Sequence, residues 1–317
     1  MLGPYDTSST VVRVTSHHAP AIRYIIGIDG GGTATRARLT RLDGEVLGCA
    51  HAGPSALAQG VEQAWNNVSE AIAGVFTDAE LADWQPQECA IGLGLAGAIV
   101  AKYRREFLKL ANRFGKIELA SDGYTTLLGA HGGRPGAVVA AGTGSIGEAL
   151  LPTGECVLVG GWGYPVGDDG GGAWLGMCAM REAQRASDGR APAGLLVHAV
   201  RRVAGDSREA LLAWCEGAGQ HAYATLAPLV FASEATDTKA RQLLDAAARA
   251  LDDIALSLDP EGRLPLVVSG SIGQRLQGRL APAIRSRLVE PVGDAVDGAL
   301  TLIRRQLDAT AKHLGDR

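Results

Sequence analysis

Cysteine is scarce and scattered in this chain of 317 residues. Cys49, Cys89, Cys156, Cys178 and Cys215 form an odd set with no CxxC pair, which argues against a disulfide framework or zinc ribbon, makes a structural metal unexpected and points to a reducing compartment. Basic excess is also lacking. The formal net charge is −4 and the pI near 6.0, and no Lys/Arg cluster is interleaved with aromatics, so nucleic acid is not an expected partner. No uninterrupted apolar run approaches the roughly 20 residues a membrane span needs. Residues 1–23 contain neither a continuous apolar h-region nor a small-residue cleavage site, and are expected to be a flexible leader rather than a secretory signal. The expectation is a soluble cytoplasmic protein acting on a small molecule, with neither nucleic acid nor membrane as partner. What is present is 46% hydrophobic composition, sufficient for two domains, each with its own core. Two domains leave a cleft.

The hydrophobic pattern begins with an apolar strand from Tyr24 to Ile28, a tight turn DGGGT at 29–33, an alternating strand TRARLT, the hairpin signal Asp43-Gly44 and a third strand EVLGCA, predicting an antiparallel meander. It then switches to alternating helix and strand. A helix carries Val61, Trp65, Val68, Ile72 and Val75, and a buried strand covers 89–97. An amphipathic helix follows with Phe107, Leu110, Ala111 and Phe114, then a strand at 117–121 and a short helix at 123–130. The meander recurs at 137–160, with Thr143 and Gly154 each 110 positions after Thr33 and Gly44. An internal duplication accounts for this register. Asp29 has no acidic counterpart, because Val139 occupies the equivalent place. The rest reads as mostly helical, with a long helix through Leu243–Leu258, a buried strand at 264–270 and helices near 274–287 and 295–313. A hinge is expected at 129–136, dividing domains at 24–130 and 131–317. The pattern leaves open whether the last helix returns to the first domain.

The glycine-rich DGGGT turn opens a strand and not a helix, and no GK[ST] follows, so neither a Rossmann fingerprint nor a P-loop is supported. It reads either as a plain hairpin turn or as a phosphate grip. In the grip, the amides of Gly31 and Gly32 point at phosphate oxygens, Thr33 adds a hydroxyl, and Asp29 holds Mg²⁺ through water. The second turn, Gly142-Thr143-Gly144, doubles that signal. At 267–273, VVSGSIG makes a third strand-to-glycine transition, where Gly270 and Ser271 leave room for a base or ribose; its plain alternative is an ordinary strand-to-helix turn. Asp122 stands where a strand ends and a helix begins. Its commonest role is a helix N-cap, and its alternative is a general base in phosphoryl transfer. The stretch GGWGYPVGDDGGGAWLG at 160–176 offers Trp162 and Asp168 for recognition of a sugar's C–H face and hydroxyls, while Asp169 reads as a cap and Trp174 as core.

Together these motifs resemble the N-acetylglucosamine kinase and glucosamine kinase branch of the actin-like sugar kinase superfamily (BadF/BadG/BcrA/BcrD ATPase-like). The likeness runs from Tyr24 to about Leu307, with five motifs in order. It implies an α/β fold of two duplicated actin-like (ribonuclease H-like) ATPase domains around a cleft. It also implies ATP and Mg²⁺ as cofactors, a homodimer, an amino-sugar substrate phosphorylated on its 6-hydroxyl, and Asp122 as catalytic base. On the same resemblance Gln274 joins Gly270 beside the adenosine, and Ser55, Gly161, Trp162 and Asp168 line the sugar site. One departure stands out: in AGPSAL, Ala56 occupies the place where relatives tend to carry an asparagine, which leaves N-acetylglucosamine and glucosamine as alternatives. The zinc-binding cysteine cluster of the repressor and open-reading-frame kinases is missing. Readings of another class are a non-catalytic sugar sensor, for which residues 1–23 are too short to supply a helix-turn-helix, and an iron–sulfur activator ATPase, for which Cys156 and Cys178 flank the glycine loop.

Overall fold

The computed structural model describes residues 21–315, with side chains to residue 310. Most of the expected leader, 1–23, therefore lies outside the described residues. Two compact units divide the chain: the first runs to Arg134 and resumes at Glu290, and the second is Pro135–Val289. The division falls at Arg134/Pro135 rather than after residue 130, and the last helix belongs to the first unit.

In the first unit, strands β1 (Tyr24–Gly30), β2 (Thr35–Arg41) and β3 (Val46–Ala52) form the expected meander, and β4 (Cys89–Leu95) and β5 (Lys116–Ala120) add to β1 in parallel, giving the order β3-β2-β1-β4-β5. Period-2 alternation assigns the faces. Ile26, Ile28, Ile91 and Leu93 are fully buried in one cluster with Val68, Ile72 and Val75 of α1 (Val61–Asp78), each such side chain contributing about 1.5–3 kcal/mol by burial. Helix α2 (Ala101–Leu110) adds Phe107 to that cluster. The opposite face packs α3 (Asp122–Ala130) and the final helix. That face is built from small residues: an added Cβ on Gly92 would lie 1.9 Å from the carbonyl oxygen of Ala299, and one on Gly94 equally close to Thr125 Oγ1.

The second unit repeats the plan with β6 (Gly136–Ala141), β7 (Ser145–Leu150), β8 (Cys156–Gly160) and β9 (Leu266–Ser269), in the order β8-β7-β6-β9, where β9 lies parallel to β6 as β4 does to β1. The counterpart of β5 is reduced to a single parallel bridge, Leu266–Leu288. Between β8 and β9 come α4 (Gly172–Ser187), α5 (Leu195–Ala204), α6 (Arg208–Gly217), α7 (Gln220–Ala224), α8 (Ala227–Ser233) and α9 (Thr238–Leu258). The core joins Val139 and Ala141 of the sheet to Leu175, Val200, Leu244 and Leu251 of these helices. Short helices α10 (Ser271–Leu276) and α11 (Pro282–Arg285) follow β9, and α12 (Ala295–Gly315) closes the chain in the first unit. Both sheets and the repeated meander agree with the duplicated α/β architecture read from sequence. Among the described residues no helix is long and apolar enough to cross a membrane.

Candidate active site

At the end of β1, the DGGGT turn is closed by Gly31 N–H donating to Ala34 O at 3.0 Å. The Gly31 carbonyl in turn accepts from the backbone N–H groups of Ser55 and Ala56 at 3.0 and 3.1 Å, and Gln59 Nε2 donates to Gly32 O at 3.2 Å. The turn is thus held from behind by the 53–59 segment, while Gly32 and Thr33 are exposed and an added Cβ on Gly31 would meet nothing within 4 Å. That open surface is what a phosphate requires. Ser55, expected to meet the sugar, is 0% exposed. Its Oγ lies 2.7 Å from Thr35 Oγ1, and an added Cβ on Gly30 would come within 1.9 Å of it. It supports the turn and has no surface to offer a substrate.

Asp29 precedes the turn. It pairs across β1 and β2 with Arg36 and along β1 and β4 with Gly94, so its side chain shares the sheet face that packs α3. Arg36 Nη2 and Nε donate to Asp29 Oδ2 at 2.7 and 3.2 Å; Oδ1 takes no part in this pair. Asp122 opens α3 close by. The N-cap role that sequence alone favoured for Asp122 falls instead to Ser121, whose Oγ accepts from Tyr124 N–H at 3.1 Å, leaving the Asp122 carboxyl available. Burial pushes that carboxyl above its ordinary value, the N–H groups of Gly123 and Asp122 itself oppose the shift, and the negative charge of Asp29 reinforces it. A partly buried carboxylate held more basic than usual at the start of a helix is suited to accept a proton.

In the second unit the Gly142-Thr143-Gly144 turn docks onto the start of α4: Gly172 N–H donates to Gly142 O at 2.7 Å and Ala173 N–H to Thr143 O at 2.9 Å. Thr143 is exposed. The glycine-rich loop closes over the same turn. Ser145 Oγ donates to Asp169 O at 2.7 Å, and an added Cβ on Gly144 would fall 2.2 Å from Asp168 Oδ2. Asp168, at φ 64°, accepts from Gly163 N–H at Oδ1 (3.0 Å) and from Gln220 Nε2 at Oδ2 (3.2 Å). Gly161 N–H donates to Ser145 O at 3.0 Å, and Trp162 projects with 89% of its surface exposed. Gly270 follows β9 at φ 81°, where an added Cβ would lie 2.4 Å from Ala141 O and 3.1 Å from Gly142 N, so the third glycine transition abuts the Gly142-Thr143-Gly144 turn. Ser271 and Gln274 are exposed on α10.

The candidates therefore gather in two groups: Asp29, Gly31, Gly32, Thr33 and Asp122 in the first unit, and Gly142–Gly144, Gly161, Trp162, Asp168, Gly270, Ser271 and Gln274 in the second. The sequence profile of the BadF/BadG/BcrA/BcrD ATPase family matches residues 26–297, spanning both groups. The chain belongs to this family. It is similar to the glucosamine kinase GspK of Vibrio cholerae, 34% identical over 280 residues, covering 88% of this chain and 95% of that protein. It is also similar to an N-acetyl-D-glucosamine kinase of Dictyostelium discoideum, 27% identical, covering 84% and 90% of the two chains. A solved structure of a provisionally assigned N-acetylglucosamine kinase from Chromobacterium violaceum matches with a TM-score of 0.83 and 47% identity, covering 90% of this chain and all of that one.

Three residues of this family member that sequence reasoning missed adjoin or contact the candidate residues. Ser121 frees Asp122, and a Ser-x-x pattern before a helix was an available signal. Gln220 reaches Asp168 from a helix 52 residues away, and no local pattern announces it. Arg36 engages Asp29, but in the alternating TRARLT strand it reads as an ordinary solvent-facing residue.

Proposed function

We propose that the chain is an ATP-dependent hexosamine kinase that phosphorylates the 6-hydroxyl of N-acetylglucosamine, with Asp122 as catalytic base. The observation that carries this reading is the state of Asp122: its carboxyl relieved of capping by Ser121, partly buried, raised in proton affinity and close to Asp29, which precedes the first glycine turn. Asp122 accepts the proton of the sugar hydroxyl as the oxygen attacks the γ-phosphorus, and the bond to the bridging oxygen breaks to release ADP. Beside Gly31, whose N–H closes the turn on Ala34 O and whose bare Cα leaves the approach open, Gly32 and Thr33 bind phosphate oxygens from the first unit. Gly142, Thr143 and Gly144 do so from the second, where Gly270, Ser271 and Gln274 take the adenosine. Gly161, Trp162 and Asp168 orient the sugar, the indole against its C–H face and the carboxylate on its hydroxyls.

Mg²⁺ suits the donors present. Asp29 keeps Oδ1 outside the Arg36 pair, and among the described residues no group of three or more His, Cys, Asp or Glu is arranged to hold a metal. One carboxylate acting through water, with the nucleotide's own phosphates, is the usual arrangement for this ion. When bound, it would neutralise charge developing on the phosphates.

Glucosamine is the second reading, favoured by the 34% identity to GspK over nearly its whole length and by the absence of a polar side chain at Ala56. A cytoplasmic homodimer is the assembly we expect, on the family resemblance and on the free thiols Cys49, Cys89, Cys178 and Cys215. The test is Mg²⁺-dependent ADP release with N-acetylglucosamine, glucosamine, glucose and no sugar. Stimulation by one hexosamine supports the kinase and names its acceptor; equal release with and without sugar overturns it.

A further inference from the structure

Arg36 has no part in the chemistry above, yet it bridges Asp29 to a second carboxylate, Asp294. Besides holding Asp29 Oδ2 through Nη2 and Nε, it donates from Nη1 to Asp294 Oδ2 at 2.9 Å. Asp294 immediately precedes α12 and is itself fixed. Its Oδ1 accepts from Asp297 N–H at 3.0 Å, its N–H donates to Asp297 Oδ2 at 3.0 Å, and Arg38 pairs with Asp297 while reaching Asp294 at 3.8 Å. Although burial opposes it, the Asp297 N–H and the Arg36 and Arg38 guanidinium groups hold the Asp294 carboxyl below its ordinary value. The first turn of α12 meets α3 backbone to backbone: an added Cβ on Gly129 would lie 1.9 Å from Asp294 O, and one on Gly298 1.7 Å from Thr125 O. A continuous path of contacts thus runs from α3, which carries Asp122, through Asp294 and Arg36 to Asp29.

We propose that Arg36 is a positioning residue for Mg²⁺-nucleotide binding, a clasp through which Asp294 holds Asp29 so that Oδ1 faces the metal's water shell. The proposal rests on the reading of the chain as an ATP-dependent kinase. Three nitrogens on two carboxylates require the planar fork of arginine, which a lysine ammonium does not offer. With 42% of its side chain exposed, Arg36 stabilises the fold little through these pairs, so their value lies in orientation. Without Arg36, Asp29 would lose its counter-charge, Asp294 would keep only Arg38 at 3.8 Å, and Asp29 would turn away from its present position. Groups that orient metal-binding carboxylates typically account for about 10- to 100-fold in metal affinity.

The test is calorimetric titration of ATP into the full chain across a series of Mg²⁺ concentrations and in excess chelator, with Arg36→Met and Asp294→Asn compared with the natural protein after thermal melts confirm folding. Asparagine keeps a capping oxygen at 294 and removes only the charge. For Arg36→Met, the Mg²⁺ concentration giving half-maximal ATP binding should rise about tenfold or more, metal-free ATP affinity should stay within about twofold, and Asp294→Asn should fall between. Natural Mg²⁺ dependence in Arg36→Met overturns the clasp. So does an equal loss with and without Mg²⁺, which marks Arg36 as a phosphate contact. Mg²⁺-dependent ATP binding without sugar-stimulated turnover in the natural chain overturns the hexosamine kinase and leaves the clasp standing; absence of Mg²⁺-dependent ATP binding there overturns both.

Discussion

Asparagine at position 122 removes a proton acceptor and little else. Ser121 still caps α3, and the Asp122 carbonyl still accepts from Thr125 and Thr126 hydroxyls at 3.1 and 2.8 Å, so the near-isosteric change leaves the helix start in place. A positioned general base contributes about 10²–10⁴ in rate, which at about 1.36 kcal/mol per decade is roughly 3–5 kcal/mol of barrier. Burial, the largest influence on this carboxyl, makes it a stronger base than an exposed aspartate, so the loss of kcat should reach about 10³ or more. ATP affinity should be kept. Stability moves the other way. A carboxyl whose folded-state pKa is raised contributes stability that is complete below its unfolded value and lost as pH rises through the folded one. At neutral pH the ionised Asp122 therefore costs stability that asparagine does not. Asp122→Asn should melt higher than the natural chain at pH 7–8, the gain shrinking as pH falls toward the ordinary aspartate range near about 3.9. Coupled ADP release, calorimetric ATP binding and melts across pH read all three effects. Turnover within tenfold of the natural chain, or a variant that melts lower at neutral pH, refutes the assignment.

Trp162→Ala should leave the melting temperature unchanged, because the ring is 89% exposed, while the sugar KM rises roughly 2- to 12-fold for the loss of an aromatic contact of about 0.5–1.5 kcal/mol; steady-state kinetics with each substrate varied separates the two. Gly142→Ala and Gly144→Ala should divide by substrate. An added methyl at 142 meets nothing within 4 Å and raises ATP KM alone, whereas one at 144 strikes Asp168 Oδ2 and raises sugar KM, by about fivefold or more for a displaced polar contact. Gly298→Ala should cost about 1–3 kcal/mol by forcing α12 off α3, lowering the melting temperature by about 2–4 °C per kcal/mol and reducing kcat through Asp122. Gly217→Ala, where an added Cβ meets nothing within 4 Å, is the melting control.

Local pattern was enough for the meanders and for the glycine turns, because period-2 alternation and turn chemistry act within a few residues of chain. It did not reach contacts made across long separations. The amphipathic pattern of 295–313 announces a helix that buries a face, but not which sheet receives it. The receiving surface was written in Gly27 of β1 and Gly92 of β4, small residues paired side by side that admit the backbone of α12, and their partners lie more than two hundred residues away. Arg36 and Arg38 alternate with buried Ala37 and Leu39, which reads as a strand with one wet face; the acidic first turn of α12 partly covers it. Ser55 was named for its place in a motif, and burial reassigns it to the support of the turn. For Asp122 the place between strand and helix suggested a cap as the plain alternative to a general base, and the backbone gives the cap to Ser121.

The duplication explains why the chemistry is unequal. Both copies keep the strand, glycine turn and strand that present amides and a threonine, since β1–β2 and β6–β7 share pairing direction and the parallel neighbour beyond. Such a turn binds phosphate with backbone alone and tolerates drift in its side chains. The proposed metal and proton-accepting roles need carboxylates at fixed positions, and Asp29 and Asp122 both stand in the first copy. There Asp29 faces Arg36, where the second copy has Val139 opposite Gly147, and α3 brings Asp122 to the face where Gly94 leaves room. The second copy spends its long insertion between β8 and β9 on helices, and on the loop that carries Trp162 and Asp168. A valine at position 29 should then make the first turn resemble the second: Asp29→Val should retain metal-free ATP binding and lose its Mg²⁺ dependence, read by the same titration, and retained Mg²⁺ dependence would show that Asp29 is not the carboxylate that serves the metal.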